Sequence, residues 1–276
     1  MNAQEKTLTT FDGLTLRGKS WKPDGAPKAV VVLTHGQGEY VGRYEHVGAW
    51  FTQNGYAFYA YDLRGHGKSG GPRGHIPSYE AFLNDLEAVL KWAQAENAGR
   101  KIFLMGHSMG GQITLNYVLR RKPAIAGVMV TGPWLKLAFD PPAWKVQLGR
   151  VLNNLWPTLA LPSGLTMEML SRDLAFLNSM PEVELYTNLV SARMGTACME
   201  AAADALAHAA QFTTPVLFMH GSADQATNPA GTREFYERAA SADKTFKSYE
   251  GFYHEIHNEP DRARVLADMT NWLSQH

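Results

Sequence analysis

A single cysteine, Cys198, stands among 276 residues, which excludes an intramolecular disulfide framework and any multi-cysteine zinc or iron–sulfur site. Charge of one sign is equally scarce. Lys+Arg and Asp+Glu each total 26, so no basic excess exists to neutralise a run of phosphates, and nucleic acid is not an expected partner. No stretch approaches the ~20 consecutive apolar residues that span a bilayer. The opening Met1-Asn2-Ala3-Gln4-Glu5-Lys6 lacks the basic stretch and apolar core of a secretory signal. The chain is therefore expected to be soluble, cytoplasmic and globular. At this length folding buries roughly three quarters of the unfolded surface, so no covalent or metal staple is needed.

What is present is an alternation of short apolar runs with longer amphipathic segments, the pattern of an α/β fold with a mostly parallel central sheet flanked by helices. A hairpin is expected from residues 7–11 and 14–21 around Asp12-Gly13, then strands at residues 29–33, 56–61, 101–105, 125–130, 215–219 and 245–249. Most are continuously apolar, as strands buried on both faces are. Phe82, Leu86, Val89, Leu90 and Ala93 recur at helical spacing, with Ser78 as N-cap and Gly99 as stop. Further helices are predicted at residues 109–121, 229–240 and 260–275. The rhythm breaks between Gly132 and Thr214, where no strand is predicted and several prolines divide the chain. This predicts an α/β core in two parts, 1–132 and 215–276, with a helical cap inserted at 133–214. Trp134, Trp144 and Trp156 lie in the apolar first part of that cap, either sealing it onto the core or forming a greasy pocket wall or lipid-facing patch.

Gly106-His107-Ser108-Met109-Gly110 fits Gly-x-Ser-x-Gly, a nucleophile held on a sharp strand-to-helix turn. A second match, at Gly67-Lys68-Ser69-Gly70-Gly71, is followed by Pro72 and Gly74, which cannot open a helix. Ser69 is thus a loop residue, and the overlapping Gly65-x-Gly67-x-x-Gly70 fails as a dinucleotide fingerprint for the same reason. A serine hydroxyl needs an imidazole base and a carboxylate to orient it, in the chain order Ser, acid, His for this kind of turn. Asp224 follows the apolar run 215–219, and His254 follows the last strand; His257 is its rival. Acyl transfer also needs two oxyanion donors. Met109 N–H supplies one, and Gln37 N–H, in Thr34-His35-Gly36-Gln37-Gly38, supplies the other unless that segment is only a tight glycine turn. His254-Glu255-Ile256-His257 lacks the spacing of a zinc-protease helix, and neither metal nor organic cofactor is expected.

Taken together, His35-Gly36-Gln37-Gly38-Glu39, Asp62-x-Arg64-Gly65-His66-Gly67-x-Ser69-x-Gly71, Gly106-His107-Ser108-Met109-Gly110-Gly111, Ser171-Arg172-Asp173, Gly221-Ser222-Ala223-Asp224 and His254-Glu255-x-x-Asn258-Glu259 resemble the serine-nucleophile α/β-hydrolases, specifically the monoacylglycerol lipase and lysophospholipase group. The resemblance implies a triad of Ser108, Asp224 and His254, oxyanion donors Gln37 and Met109, and a cap over an acyl-chain tunnel. It also implies that Glu39, Arg43, His107 and Tyr186 hold the glycerol end of an acylglycerol or related lipid ester. Transient membrane contact through the cap is expected; oligomeric state is not indicated. A lysophospholipase or general carboxylesterase shares this chemistry. An epoxide hydrolase or dehalogenase would need a carboxylate where Ser108 stands, and a non-catalytic protein on the same scaffold would have no need of all three triad residues.

Overall fold

Strands β1 (Asn2–Thr9) and β2 (Thr15–Lys22) form an antiparallel hairpin in the computed structural model, which describes residues 2–139 and 141–276. Gly13, at φ +79°, turns the connection. The chain then runs through β3 (Val30–Thr34), α1 (Glu45–Gln53), β4 (Ala57–Tyr61), α2 (Tyr79–Glu96), β5 (Ile102–His107), α3 (Met109–Arg121) and β6 (Gly127–Thr131). Next come α4 (Ala143–Leu155), β7 (Ala160–Pro162), α5 (Met167–Leu170), α6 (Leu174–Asn178), β8 (Leu189–Ser191) and α7 (Ala192–Ala207). The last elements are β9 (Val216–Gly221), α8 (Pro229–Arg238), β10 (Lys244–Tyr249) and α9 (Arg262–Leu273).

Eight strands make one sheet in the order β1-β2-β4-β3-β5-β6-β9-β10. From β4 onward every pairing is parallel. Period-2 alternation divides the apolar runs between two cores. Val30 and Val32 face one, with Phe82, Ile113 and Phe235 from α2, α3 and α8. Val31 and Leu33 face the other, with Phe51 from α1 and Met269 and Trp272 from α9. Both faces are covered, which is why these strands carry almost no polar residues.

Local expectations fail where tertiary contacts replace a propensity. Ser78 occupies the N-cap of α2 without making a side-chain cap bond. The helix ends at Glu96, two residues before the expected end at Ala98: Asn97, at the C-cap, turns its Nδ2 to donate to the Ala93 carbonyl and to the Tyr59 hydroxyl, both at 2.8 Å. Between β6 and β9 the expected helices are joined by an unpredicted two-strand ladder of β7 and β8. Each strand has three residues, too few to register as an alternating run.

Helix α7 docks this intervening segment on the core. Gln112 Nε2 and Asn116 Nδ2 of α3 donate to the Cys198 and Ala201 carbonyls of α7, at 2.8 and 3.1 Å. Helix α4 lies against α7 and turns Trp144, Leu148, Val151 and Leu155 outward, with Leu155 79% exposed. The spacing i, i+4, i+7, i+11 is that of a single helical face. Trp134 is half-buried against the core, whereas Trp144 and Trp156 are exposed. Sealing therefore describes Trp134 and not the other two. Among the described residues no helix is long and apolar enough to cross a membrane.

Candidate active site

Ser108 links β5 to α3 with φ 54° and ψ −120°, a conformation that side chains rarely adopt. The two glycines around it are required by space. A Cβ on Gly106 would lie 2.5 Å from the Gly110 carbonyl oxygen, and one on Gly110 would collide with the Thr34 and His35 carbonyls. Ser108 is fastened to the crest of the sheet by its own backbone. Its N–H donates to the Thr131 carbonyl (3.0 Å), and its carbonyl accepts from Trp134 N–H (2.9 Å). Between those two partners Gly132 packs 3.3 Å from both Asp224 Oδ2 and His254 Nδ1 at its Cβ position. By contrast, Ser69 is a buried loop residue: its Oγ donates to the Asp62 carbonyl at 2.6 Å and accepts from Arg17 N–H at 2.9 Å.

Asp224 and His254 come together from the ends of β9 and β10. His254 Nδ1 and Asp224 Oδ2 are 2.8 Å apart, both residues being buried. Oδ1 accepts from the N–H groups of Ala226 (2.8 Å) and Thr227 (2.9 Å), and Oδ2 also meets the Thr227 hydroxyl at 2.9 Å and His220 Nε2 at 3.0 Å. Burial alone would raise the Asp224 carboxyl, but the facing His254 and His220 hold it far below the usual carboxylate range. Burial opposes a charge on His254 as well, and the Asp224 carboxylate outweighs it, leaving the imidazole above its ordinary value. His257, the rival base, stacks on the Tyr44 ring at 5.0 Å instead.

Gln37 lines a cavity of about 360 Å³ together with Ser108. Its side-chain amide donates to the Thr187 and Leu189 carbonyls, at 3.3 and 3.2 Å. Its backbone N–H has no partner among the described residues, and neither has Met109 N–H at the start of α3. The rest of the cavity wall is mostly apolar and comes from the segment between β6 and β9, including Trp134, Phe139, Val146, Leu161 and Met199. A larger cleft of about 810 Å³, between Tyr79, Arg120, Arg193 and Asp204, contains none of these groups.

On the other side of Gly36 lies a buried ionic cluster. The Cβ position of Gly36 is 2.9 Å from Glu39 Oε2, 3.0 Å from Ser108 Cβ and 3.2 Å from the His107 ring. Any side chain there would separate the serine from the cluster. Arg43 Nη2 donates to both oxygens of Glu255, at 2.7 and 2.6 Å, and Nε to Glu39 Oε1 at 3.3 Å. The Arg43 guanidinium sits 5.7 Å from the Tyr186 ring centroid. Among the described residues no partner reaches Arg43 Nη1 or the Tyr186 hydroxyl, although both atoms are buried. His107 Nδ1 faces the Thr131 carbonyl and hydroxyl, at 3.1 and 2.9 Å. Burial and the neighbouring His254 push His107 down to about 3. It is neutral with hydrogen on Nδ1, which leaves Nε2 as an acceptor. Glu39, His107 and Glu255 bring ligand atoms within 4.8 Å of one another. Arg43 already bonds both carboxylates, so a guanidinium supplies the positive charge that a cation would bring.

Of the residues inferred from resemblance, Glu39 and His107 thus lie across Gly36 from Ser108, with Arg43 bonded to Glu39 and Tyr186 packed on Arg43. The sequence reading missed Glu255, Thr227 and His220 as partners. The His220-Gly221-x-x-Asp224 spacing, which sets His220 four residues before the carboxylate, and the place of Glu255 directly after His254 carried a signal, whereas nothing in the sequence pointed to Thr227.

Comparison with known proteins adds to this geometry. The sequence profile of the family described as serine aminopeptidase, S33 matches residues 25–261. A monoacylglycerol lipase of Mycolicibacterium smegmatis is 34% identical over 99% of this chain and 97% of its own length. An abhydrolase domain-containing protein of Dictyostelium discoideum is 35% identical over 100% of this chain, which spans 29% of that longer protein. Among solved structures, the monoacylglycerol lipase of Paleococcus ferrophilus superimposes with a TM-score of 0.85 at 33% identity, covering 95% of this chain and 99% of that one.

Proposed function

Because the chain belongs to the serine aminopeptidase S33 family and is a carboxylic ester hydrolase of the α/β-hydrolase fold, we propose that it cleaves monoacylglycerols to glycerol and free fatty acid through Ser108, His254 and Asp224. The observation that carries the substrate class is the division of space around Ser108. A largely apolar cavity of about 360 Å³ reaches the serine on one side, and unpartnered donors, Arg43 Nη1 and the Tyr186 hydroxyl, lie in the polar cluster beyond Gly36. One acyl chain and one small polyol match that pair of environments.

In the proposed reaction Ser108 Oγ attacks the ester carbonyl carbon while His254 Nε2 takes its proton. Asp224 orients the imidazole through Nδ1 and stabilises its charged form. The Gln37 and Met109 N–H groups receive the oxyanion as the carbonyl becomes tetrahedral. His254 returns the proton to the departing glycerol oxygen, with Arg43 and Tyr186 donating to glycerol hydroxyls and His107 Nε2 accepting from one. Water, deprotonated by His254, then attacks the acyl-enzyme and frees the fatty acid. No cofactor enters this scheme. The outward apolar face of α4 supports transient contact with a lipid surface, from which such a substrate is drawn.

Hydrolysis by wild type and Ser108→Ala tests the reading across monoacylglycerols of several chain lengths, di- and triacylglycerols, a lysophospholipid and a short p-nitrophenyl ester. Monoacylglycerol preference that disappears in Ser108→Ala is expected. Activity confined to short esters would discard the lipid substrate, and activity surviving in Ser108→Ala would discard the nucleophile.

A further inference from the structure

Behind the Asp224 carboxylate stands a second imidazole that the reaction above does not use. His220, next to last in β9, is fully buried. Its Nε2 lies 3.0 Å from Asp224 Oδ2 and 3.3 Å from the Thr227 carbonyl oxygen, and its Nδ1 lies 2.8 Å from Thr232 Oγ1. A carboxylate and a carbonyl can only accept, so Nε2 carries hydrogen. Thr227 Oγ1, at 3.4 Å, directs its own hydrogen to Asp224 Oδ2 or the Gly132 carbonyl. The Thr232 hydroxyl has no other acceptor among the described residues, and it therefore donates to Nδ1. Together these contacts set the orientation of His220, with Nε2 as donor and Nδ1 as acceptor.

We propose that His220 is a positioning residue for hydrolysis: its Nε2–H anchors Asp224 Oδ2 from the side opposite His254 and draws off part of the carboxylate's charge. The inference rests on the triad reading above. Oδ2 is the oxygen that meets His254 Nδ1, so a donor on its far side opposes rotation of the carboxylate away from the base. A carboxylate that accepts more N–H bonds is also less basic and stabilises an imidazolium less strongly. His220 thus tempers the upward pull of Asp224 on His254. The other charged or titratable groups facing His254 are Glu255 and Glu39, which pull it upward, the ring of His107 at 4.7 Å, and His257, both of these imidazoles being pushed down by burial. None of these four contacts Oδ2.

The test compares wild type, Asp224→Asn, His220→Leu, His220→Gln and Thr232→Val on a soluble short-chain p-nitrophenyl ester, measuring kcat, KM, the pH dependence of kcat/KM and the thermal midpoint. His220→Leu is expected to lower kcat about tenfold, the scale of one hydrogen bond to a charged group. Its KM should stay within about twofold, and its acid limb should move to higher pH. His220→Gln, whose amide reaches the place of Nε2, should retain most of kcat and the wild-type limb. Thr232→Val, which keeps His220 but frees its tautomer, should give a smaller loss of kcat with the same direction of shift. Wild-type kcat and acid limb in His220→Leu would overturn the proposal. So would His220→Gln as impaired as His220→Leu, since packing would then account for the loss. If His220→Leu does not fold, wild-type behaviour of Thr232→Val overturns it instead. Undiminished activity in Asp224→Asn would overturn the triad reading itself, an outcome distinct from the others.

Discussion

The charge state of His254 is the residue-scale quantity with the most direct consequence. A general base, the role proposed for His254, must be neutral to take a proton, and Asp224 holds this imidazole above its ordinary value of 6.5. Activity should therefore fall as pH drops through a midpoint higher than 6.5. A pH profile of kcat/KM checks this, and a midpoint below 6.5 would contradict the pairing as a controlling force. Ser108 offers a second measurement. Its φ of 54° stores strain of the kind that costs on the order of 1–3 kcal/mol outside glycine. Ser108→Gly should abolish hydrolysis yet raise the stability of the fold by about 1 kcal/mol, readable as a higher urea midpoint. Arg43 presents the opposite case, because its fully buried charge is compensated by Glu255 and Glu39. Glu255→Gln leaves that charge half-compensated and should destabilise by roughly 3 kcal/mol.

At the scale of elements, the strand-to-helix elbow and the outward face of α4 impose opposite constraints. The elbow tolerates no added atom, since a Cβ on Gly110 meets the backbone carbonyls of Thr34 and His35 rather than a movable side chain. Gly110→Ala should cost at least about 2 kcal/mol and reduce kcat with it, because α3 and the segment that follows β3 are forced apart. A normal denaturation midpoint would contradict the close approach. Helix α4 is unconstrained from outside, with Trp144 64% and Trp156, just beyond its end, 59% exposed. Charges at both positions should reduce flotation with anionic or zwitterionic vesicles while leaving hydrolysis of a soluble ester intact. Equal recovery with wild type would remove these two residues from the membrane-contact reading.

For the whole molecule, stability is tied to histidines kept neutral by burial. His35 and His46 are pushed down to about 4, and His66 and His107 to about 3. In the unfolded chain each takes a proton near 6.5. The unfolded state then binds more protons between that value and the folded one, so stability is full above about 6.5 and declines as pH falls towards 4 and below. Thermal midpoints recorded across that range should fall steadily; a flat profile would show that other groups compensate. The sequence by itself determined the sheet, because strands buried on both faces appear as short continuous apolar runs, and it determined the elbow, whose glycines are adjacent in the chain. It also set Asp224 and His254 at strand ends, where the structure joins them. The tertiary structure alone decided what surrounds them. Arg43 and Glu255 are 212 residues apart, and such a pairing leaves no periodicity to read. The ladder of β7 and β8 was too short to alternate, and the spacing of His220 from Asp224 did not by itself say that folding sets its ring against the carboxylate. Patterns along a chain report how each segment meets water, whereas a site is made by which segments meet each other.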